Sequence, residues 1–194
     1  PALSAPAPAA EDRRRSVVGT FVSGSATPAG TRAYASRFTP QGYGALGSTG
    51  LTTSTLGFGC YRIDDETSEH RDALEKALLN GCNLIDTSTN YTDGASERCV
   101  GAILGATVQA GKLRREEVIA VSKIGYVQGN NLSLAQGREE VGRPFPEMVK
   151  YMEGCWHCVH PEFLREQLEH SLARLQLDTL DVCLLHNPEY FLSD

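Results

Sequence analysis

No run of about 18 apolar residues occurs in this 194-residue chain, so no stretch can span a bilayer as a helix and no membrane role is expected. Positive charge is not in excess. The net charge of −6 argues against nucleic acid or an anionic surface as the main partner. A Gly-x-Gly-x-x-Gly turn from strand to helix is missing. Gly57-Phe58-Gly59 lacks the third glycine, so the phosphate loop of an open dinucleotide fold is not there. There is no His-x-His pair and no cluster of carboxylates at strand ends, which argues against a metal-dependent barrel hydrolase. The six cysteines lie mostly inside apolar segments. They lack the framework of a small secreted domain and read as reduced thiols.

Acidic residues are also absent from Arg13 to Ile63. The start of the chain is rich in Pro, Ala, Gly, Ser and Arg and shows no apolar period. Residues 1–42 are therefore expected to be a disordered, transit-like segment. Arg32-Ala33-Tyr34-Ala35-Ser36 resembles a mitochondrial processing site, which makes a mitochondrial address the expectation, with plastid or cytoplasm as alternatives. A plain linker would show the same composition.

Order is expected from about Tyr43. Leu46 to Leu51 reads as a hairpin turn with two glycines. Then short apolar runs and helical stripes alternate. Leu56–Cys60, Cys82–Ile85, Val118–Ser122 and Asp181–Leu185 read as strands. Between them, Ala73, Leu74, Ala77 and Leu78 mark one helix, and Ala95–Ala110 a second. A third, begun by Pro161, carries Leu164, Leu168, Leu172 and Leu175. Residues 125–160 read as one long loop. The alternation predicts an α/β fold with a parallel sheet. Asp86, Lys123 and His186 each fall at the C-terminal end of an apolar run, and Tyr91 follows shortly after one. Polar groups gathered at that face are typical of a (β/α)₈ barrel, although an open sheet places ligands there too.

These residues carry a resemblance. Asp86-Thr87-Ser88-Thr89-Asn90-Tyr91-Thr92-Asp93-Gly94-Ala95-Ser96-Glu97 is similar to the Asp-x₄-Tyr-x-x-Gly-x-Ser-Glu signature of aldo-keto reductases. Val121-Ser122-Lys123 resembles that family's lysine strand, and Leu184-Leu185-His186-Asn187-Pro188 its histidine strand. Leu46–Leu51 running into Leu56–Gly59 resembles its start. The resemblance implies the first four units of a (β/α)₈ TIM-type barrel over residues 43–194. It implies an oxidoreductase that moves hydride between NADP(H), or NAD(H), and a small carbonyl, alcohol or sugar. Tyr91 would be the general acid, Lys123 its modulator, Asp86 the lysine's partner and His186 the group orienting the carbonyl. Cys60, Tyr61 and Asp86 would line the cofactor site. The residue types suit the task. A phenol is neutral and protonated at pH 7, a nearby ammonium stabilises the phenolate it leaves, and a carboxylate holds that ammonium.

A full barrel typically needs about 250 residues. Only four strands are legible, so a partial chain is expected, with the later strands and most cofactor contacts lying elsewhere. A non-catalytic binding or regulatory relative is the alternative. Cys155-Trp156-His157-Cys158-Val159-His160 holds four potential metal ligands, but no second Cys-x-x-Cys pair completes a zinc site. The expectation there is no metal, and a loop packing Trp156 over the sheet's mouth.

Overall fold

A computed structural model describes residues 21–192. Its centre is a four-stranded parallel sheet of β3 (Phe58–Gly59), β4 (Leu84–Asp86), β5 (Ile119–Ile124) and β9 (Val182–Leu185), in that spatial order. The strands follow one another as they do along the chain, with no reversal. A doubly wound sheet has such a reversal, where its ligand sits, whereas successive barrel units do not. Ahead of the sheet, β1 (Tyr43–Ala45) and β2 (Thr52–Ser54) form the expected hairpin. Gly47 and Gly50 adopt positive φ in its turn.

Helices fill the intervals where the apolar spacing predicts them. Helix α2 (Ser68–Leu79) buries Leu74 and Leu78, four apart on one face. The chain ahead of it is turned by Asp64, whose carboxylate accepts from the backbone N–H of Thr67, the residue just before the helix, at 2.7 Å. Helix α3 (Ala95–Gln109) buries Val100 and Leu104. Helix α5 (Pro161–Leu175) starts on proline and buries Phe163, Gln167, Ser171 and Leu175, again at spacings of four. The main core lies between these helices and the sheet, around Leu74, Leu78, Ile85, Val100, Leu104 and Ala120.

Two expectations are corrected. Ordered structure begins well before Tyr43. Residues 28–35 form α1 (Pro28–Ala35), capped by the Thr27 hydroxyl, which accepts from Gly30 N–H at 2.9 Å. The segment Arg32–Ser36 lies on and just after this helix, with Tyr34 fully buried. The Tyr34 hydroxyl donates to Leu78 O at 2.5 Å and accepts from Gly81 N–H at 3.1 Å. Polar composition concealed this helix because one aromatic side chain, rather than a periodic stripe, anchors it. The part of the expected tail at residues 1–20 lies outside the described residues. Tyr34→Phe removes both bonds and strands one buried and one half-buried backbone group, so it should cost about 1–3 kcal/mol. Urea unfolding measures this, and an unchanged midpoint would show that the N-terminal segment does not support the core.

The second correction concerns residues 125–160, which are not one loop. They form an insert of β6 (Tyr126–Val127), α4 (Gly129–Glu140), β7 (Val149–Met152) and β8 (Cys155–His157). The three strands make an antiparallel sheet in the order β6-β8-β7. Val127, Ala135, Phe145, Trp156 and Cys158 form a small core that Phe163 of α5 completes. Its strands are two to four residues long and α4 buries a single residue, Ala135, so neither periodicity registers in the sequence.

Candidate active site

The parallel register brings the polar strand ends together. Asp86 ends β4 and is level with Val121 of β5. Lys123 lies two residues beyond Val121, and therefore on the same face as Asp86. Its side chain reaches back so that Nζ meets Asp86 Oδ1 at 2.8 Å. Nζ also donates to Thr87 O at 2.8 Å and to Tyr91 Oη at 3.1 Å. The ammonium thus uses all three of its protons, two on anchors and one on the phenol. Ser122, on the opposite face, donates to the buried Glu97 carboxylate at 2.5 Å. Glu97 also receives Ser171 and Arg174 from α5, the latter at 2.7 Å. This buried cluster ties α3 and α5 to the strand that carries Lys123.

Tyr91 stands on an unusual piece of backbone. Thr92, Asp93 and Gly94 follow it with φ of 46°, 52° and 85°. Only glycine takes such values freely, and each of the other two costs on the order of 1–3 kcal/mol. The bend is held from outside. Thr92 Oγ1 donates to Ile63 O at 2.5 Å, and Asp93 Oδ1 accepts from Asn130 N–H at 3.1 Å, in the first turn of α4.

His186 follows β9, which pairs with β5. Its ring lies edge-on to Tyr91, with centroids 5.8 Å apart, and to Tyr126 at 4.5 Å. Burial, with Lys123 next in weight, pushes the imidazole down from 6.5 to about 4. His186 is therefore neutral at pH 7. Between pH 6.5 and 4 the unfolded chain binds this proton and the native chain does not, so stability falls as the pH is lowered through that window. His186→Gln should flatten the decline in urea midpoints from pH 7 to pH 4.5. A variant that keeps the wild-type slope would assign the decline to other groups.

All four residues predicted to carry the chemistry meet here. Of the predicted cofactor-lining residues, Tyr61 is 64% exposed and packs edge-on to Tyr91 at 5.2 Å, and the Asp86 side chain is 42% exposed. The Cys60 side chain does not reach the site. Cys60 is fully buried in the main core, its thiol turned to Phe58 O at 3.7 Å, because it points to the other side of the strand end from Tyr61. Burial pushes that thiol upward, out of the reactive range. Among the described residues no group of three or more His, Cys, Asp or Glu is placed to hold a metal ion.

Sequence reasoning missed three contributors. Ser88 Oγ lies 2.9 Å from His186 Nδ1. Tyr126 walls the imidazole. His157 Nε2 lies 2.7 Å from the backbone oxygen of His186, so the Cys-Trp-His-Cys segment supports His186 from behind. Trp156, expected on a loop over the sheet's mouth, lies instead on strand β8 and packs in the insert's core. The signal available for His157 was that it is the middle residue of a compact apolar-aromatic run, a pattern that buries every position.

The geometry can be set beside known proteins. The model of the aldo/keto reductase family matches residues 55–193. An NADH-specific methylglyoxal reductase of Escherichia coli is 32% identical over 149 residues, covering 73% of this chain and 40% of that protein. An L-galactose dehydrogenase of Arabidopsis thaliana is 28% identical over 156 residues, covering 75% and 38%. An aldo-keto reductase of Bacillus halodurans, solved in its holo form, superposes with a TM-score of 0.56 at 28% identity, over 74% of this chain and 39% of that one. The chain thus spans about two fifths of the length of these relatives. With that match running from ahead of the first parallel strand to beyond the fourth, the chain belongs to the aldo/keto reductase family.

Proposed function

We propose that this chain carries the proton-transfer site of an NAD(P)H-dependent oxidoreductase interconverting aldehyde or ketone carbonyls and alcohols, sugars included. One observation carries the reading. The Tyr91 hydroxyl lies 3.1 Å from an ammonium that Asp86 holds at 2.8 Å, on the C-terminal face of a parallel sheet. The four strands are read as the first four units of an eight-unit barrel, whose chemistry gathers at that face. The names of the relatives agree with the reaction class, among them an NAD(P)H-dependent D-xylose reductase of Scheffersomyces stipitis, 26% identical over 74% of this chain.

The residues present suit the nicotinamide-ribose end of such a cofactor. Tyr61 offers an exposed aromatic surface beside Tyr91, and Asp86 keeps carboxylate surface open to a ribose hydroxyl. Bound there, a nicotinamide would supply the hydride, which no side chain can. Tyr91 gives its phenolic proton to the carbonyl oxygen, and Lys123 stabilises the phenolate left behind. Asp86 and Thr87 O keep the ammonium in place. His186, uncharged, lies beside the reacting oxygen and orients it. NADPH and NADH consumption by a protein that holds this segment together with the later barrel strands, followed with methylglyoxal and with D-xylose, tests the reading; the segment by itself is expected to turn over little or nothing. Turnover with at least one pairing is expected. No consumption with any pairing, and no binding of either nucleotide, would remove it in favour of a regulatory relative.

A further inference from the structure

We infer that His157, carried by the insert, is a positioning residue for the reaction, holding the His186 imidazole in place by donating to the backbone oxygen of His186. The inference rests on the reductase reading for its effect on turnover, though not for its structural test. The ladder between β5 and β9 ends where His186 N–H donates to Ile124 O at 2.7 Å. Past that rung the two chains part. Gly125, at φ 116°, leads into β6, and Asn187, at φ 47°, bends toward Pro188. The carbonyl of His186 therefore lies beyond the ladder, and its oxygen is 2.7 Å from His157 Nε2. A carbonyl oxygen only accepts, so Nε2 carries the hydrogen.

His157 is fully buried on β8, the central strand of the insert's sheet, so water does not compete for its ring. Among the described residues its Nδ1 has no hydrogen-bond partner, so the bond to His186 is the one the ring makes. A Cβ on residue 125 would stand 3.1 Å from Nε2, so the glycine that turns the chain also leaves room for the ring. His186 is thus gripped on both sides of its Cα, by Ile124 through the N–H and by His157 through the C=O. Two fixed peptide planes fix the direction of the Cα–Cβ bond, and with it where the imidazole stands between Tyr91 and Tyr126. Without His157 the carbonyl loses its donor, and the left-handed Asn187 loses a restraint on the peptide that precedes it.

NMR titration of the histidine rings in the full chain, with His186 assigned by His186→Gln, reads the position of that ring. Besides burial, Lys123, Asp86, His157 and Glu189 are the titratable groups that act on it. In the wild type it titrates at about 4. His157→Leu should raise that midpoint toward 6.5, because a loosened ring reaches water. His157→Gln keeps an N–H at similar reach and removes the second imidazole's charge, and it should stay close to the wild type. In a protein that includes the later barrel strands, His157→Leu should lose about 10–10²-fold in kcat with nucleotide KM little changed, and His157→Gln should keep most of it. A role in stability alone would lower the urea midpoint and move neither reading. An unchanged titration or an unchanged kcat in His157→Leu, or a His157→Gln protein that behaves like His157→Leu, overturns the inference. If the amide spectrum shows that His157→Leu does not fold, His157→Asn, too short to reach the oxygen, takes its place. The titration needs no turnover, so its failure leaves the reductase reading standing, and loss of that reading leaves the ring's position to be read.

Discussion

Tyr91→Phe should lower the rate of carbonyl reduction by about 10²–10⁴, the range that a positioned general acid contributes. The substitution is clean because only the oxygen is lost. The ring keeps its edge contacts to Tyr61 and His186, and Lys123 Nζ still lies over its face, 4.6 Å from the centroid. The ammonium keeps Asp86 and Thr87 O as partners. Nucleotide affinity and substrate KM should therefore change little while kcat falls, the pattern of an interaction realised in the transition state. Steady-state kinetics with the phenylalanine variant, in a protein that includes the later barrel strands, measures it. A variant retaining more than about a tenth of wild-type kcat would mean that the proton comes from elsewhere, and the role given to Tyr91 would fail.

Glu97→Ala should be the most damaging single change to stability, at about 3–5 kcal/mol. Glu97 is fully buried in α3 and accepts from Ser122 of β5 and from Ser171 and Arg174 of α5. Truncation leaves the mostly buried Arg174 guanidinium without its carboxylate and both buried hydroxyls without an acceptor. Arg174 also packs where a side chain at Gly94 would stand, 2.8 Å from the position of a Cβ, so its release loosens the turn behind Tyr91. Chemical denaturation measures the loss, and Glu97→Gln, which keeps an acceptor oxygen, should lose less. An alanine variant within 1 kcal/mol of wild type would show that the buried cluster is dispensable.

The parallel strands were legible because each is a short apolar run, three of them ended by a polar residue, and the helices between them because apolar residues recur every three or four positions. Asp86, Lys123 and His186 stood out as polar residues where those runs stop. Helix α1 and the insert were not legible for a common reason. Both are held by a few contacts distant in sequence, such as Tyr34 on Leu78 and Gly81, or His157 on His186, rather than by a repeating stripe. Ser88 was unremarkable as a letter within the signature, since its importance lies in which atoms surround it. Cys60 failed by the simplest mechanism, the alternation of a strand end, which sent the thiol inward and its neighbour Tyr61 outward.

The left-handed bend after Tyr91 couples two parts of the molecule that look separate in the chain. Relaxing Thr92 and Asp93 would release local strain, but it would also withdraw the Asp93 carboxylate from the Asn130 amide and leave the first turn of α4 without that anion. The loop and the insert therefore come apart together or not at all. Amide hydrogens of residues 91–94 and of the α4 start should exchange with deuterium at matched rates, as one opening unit, even though some 35 residues of sequence lie between them.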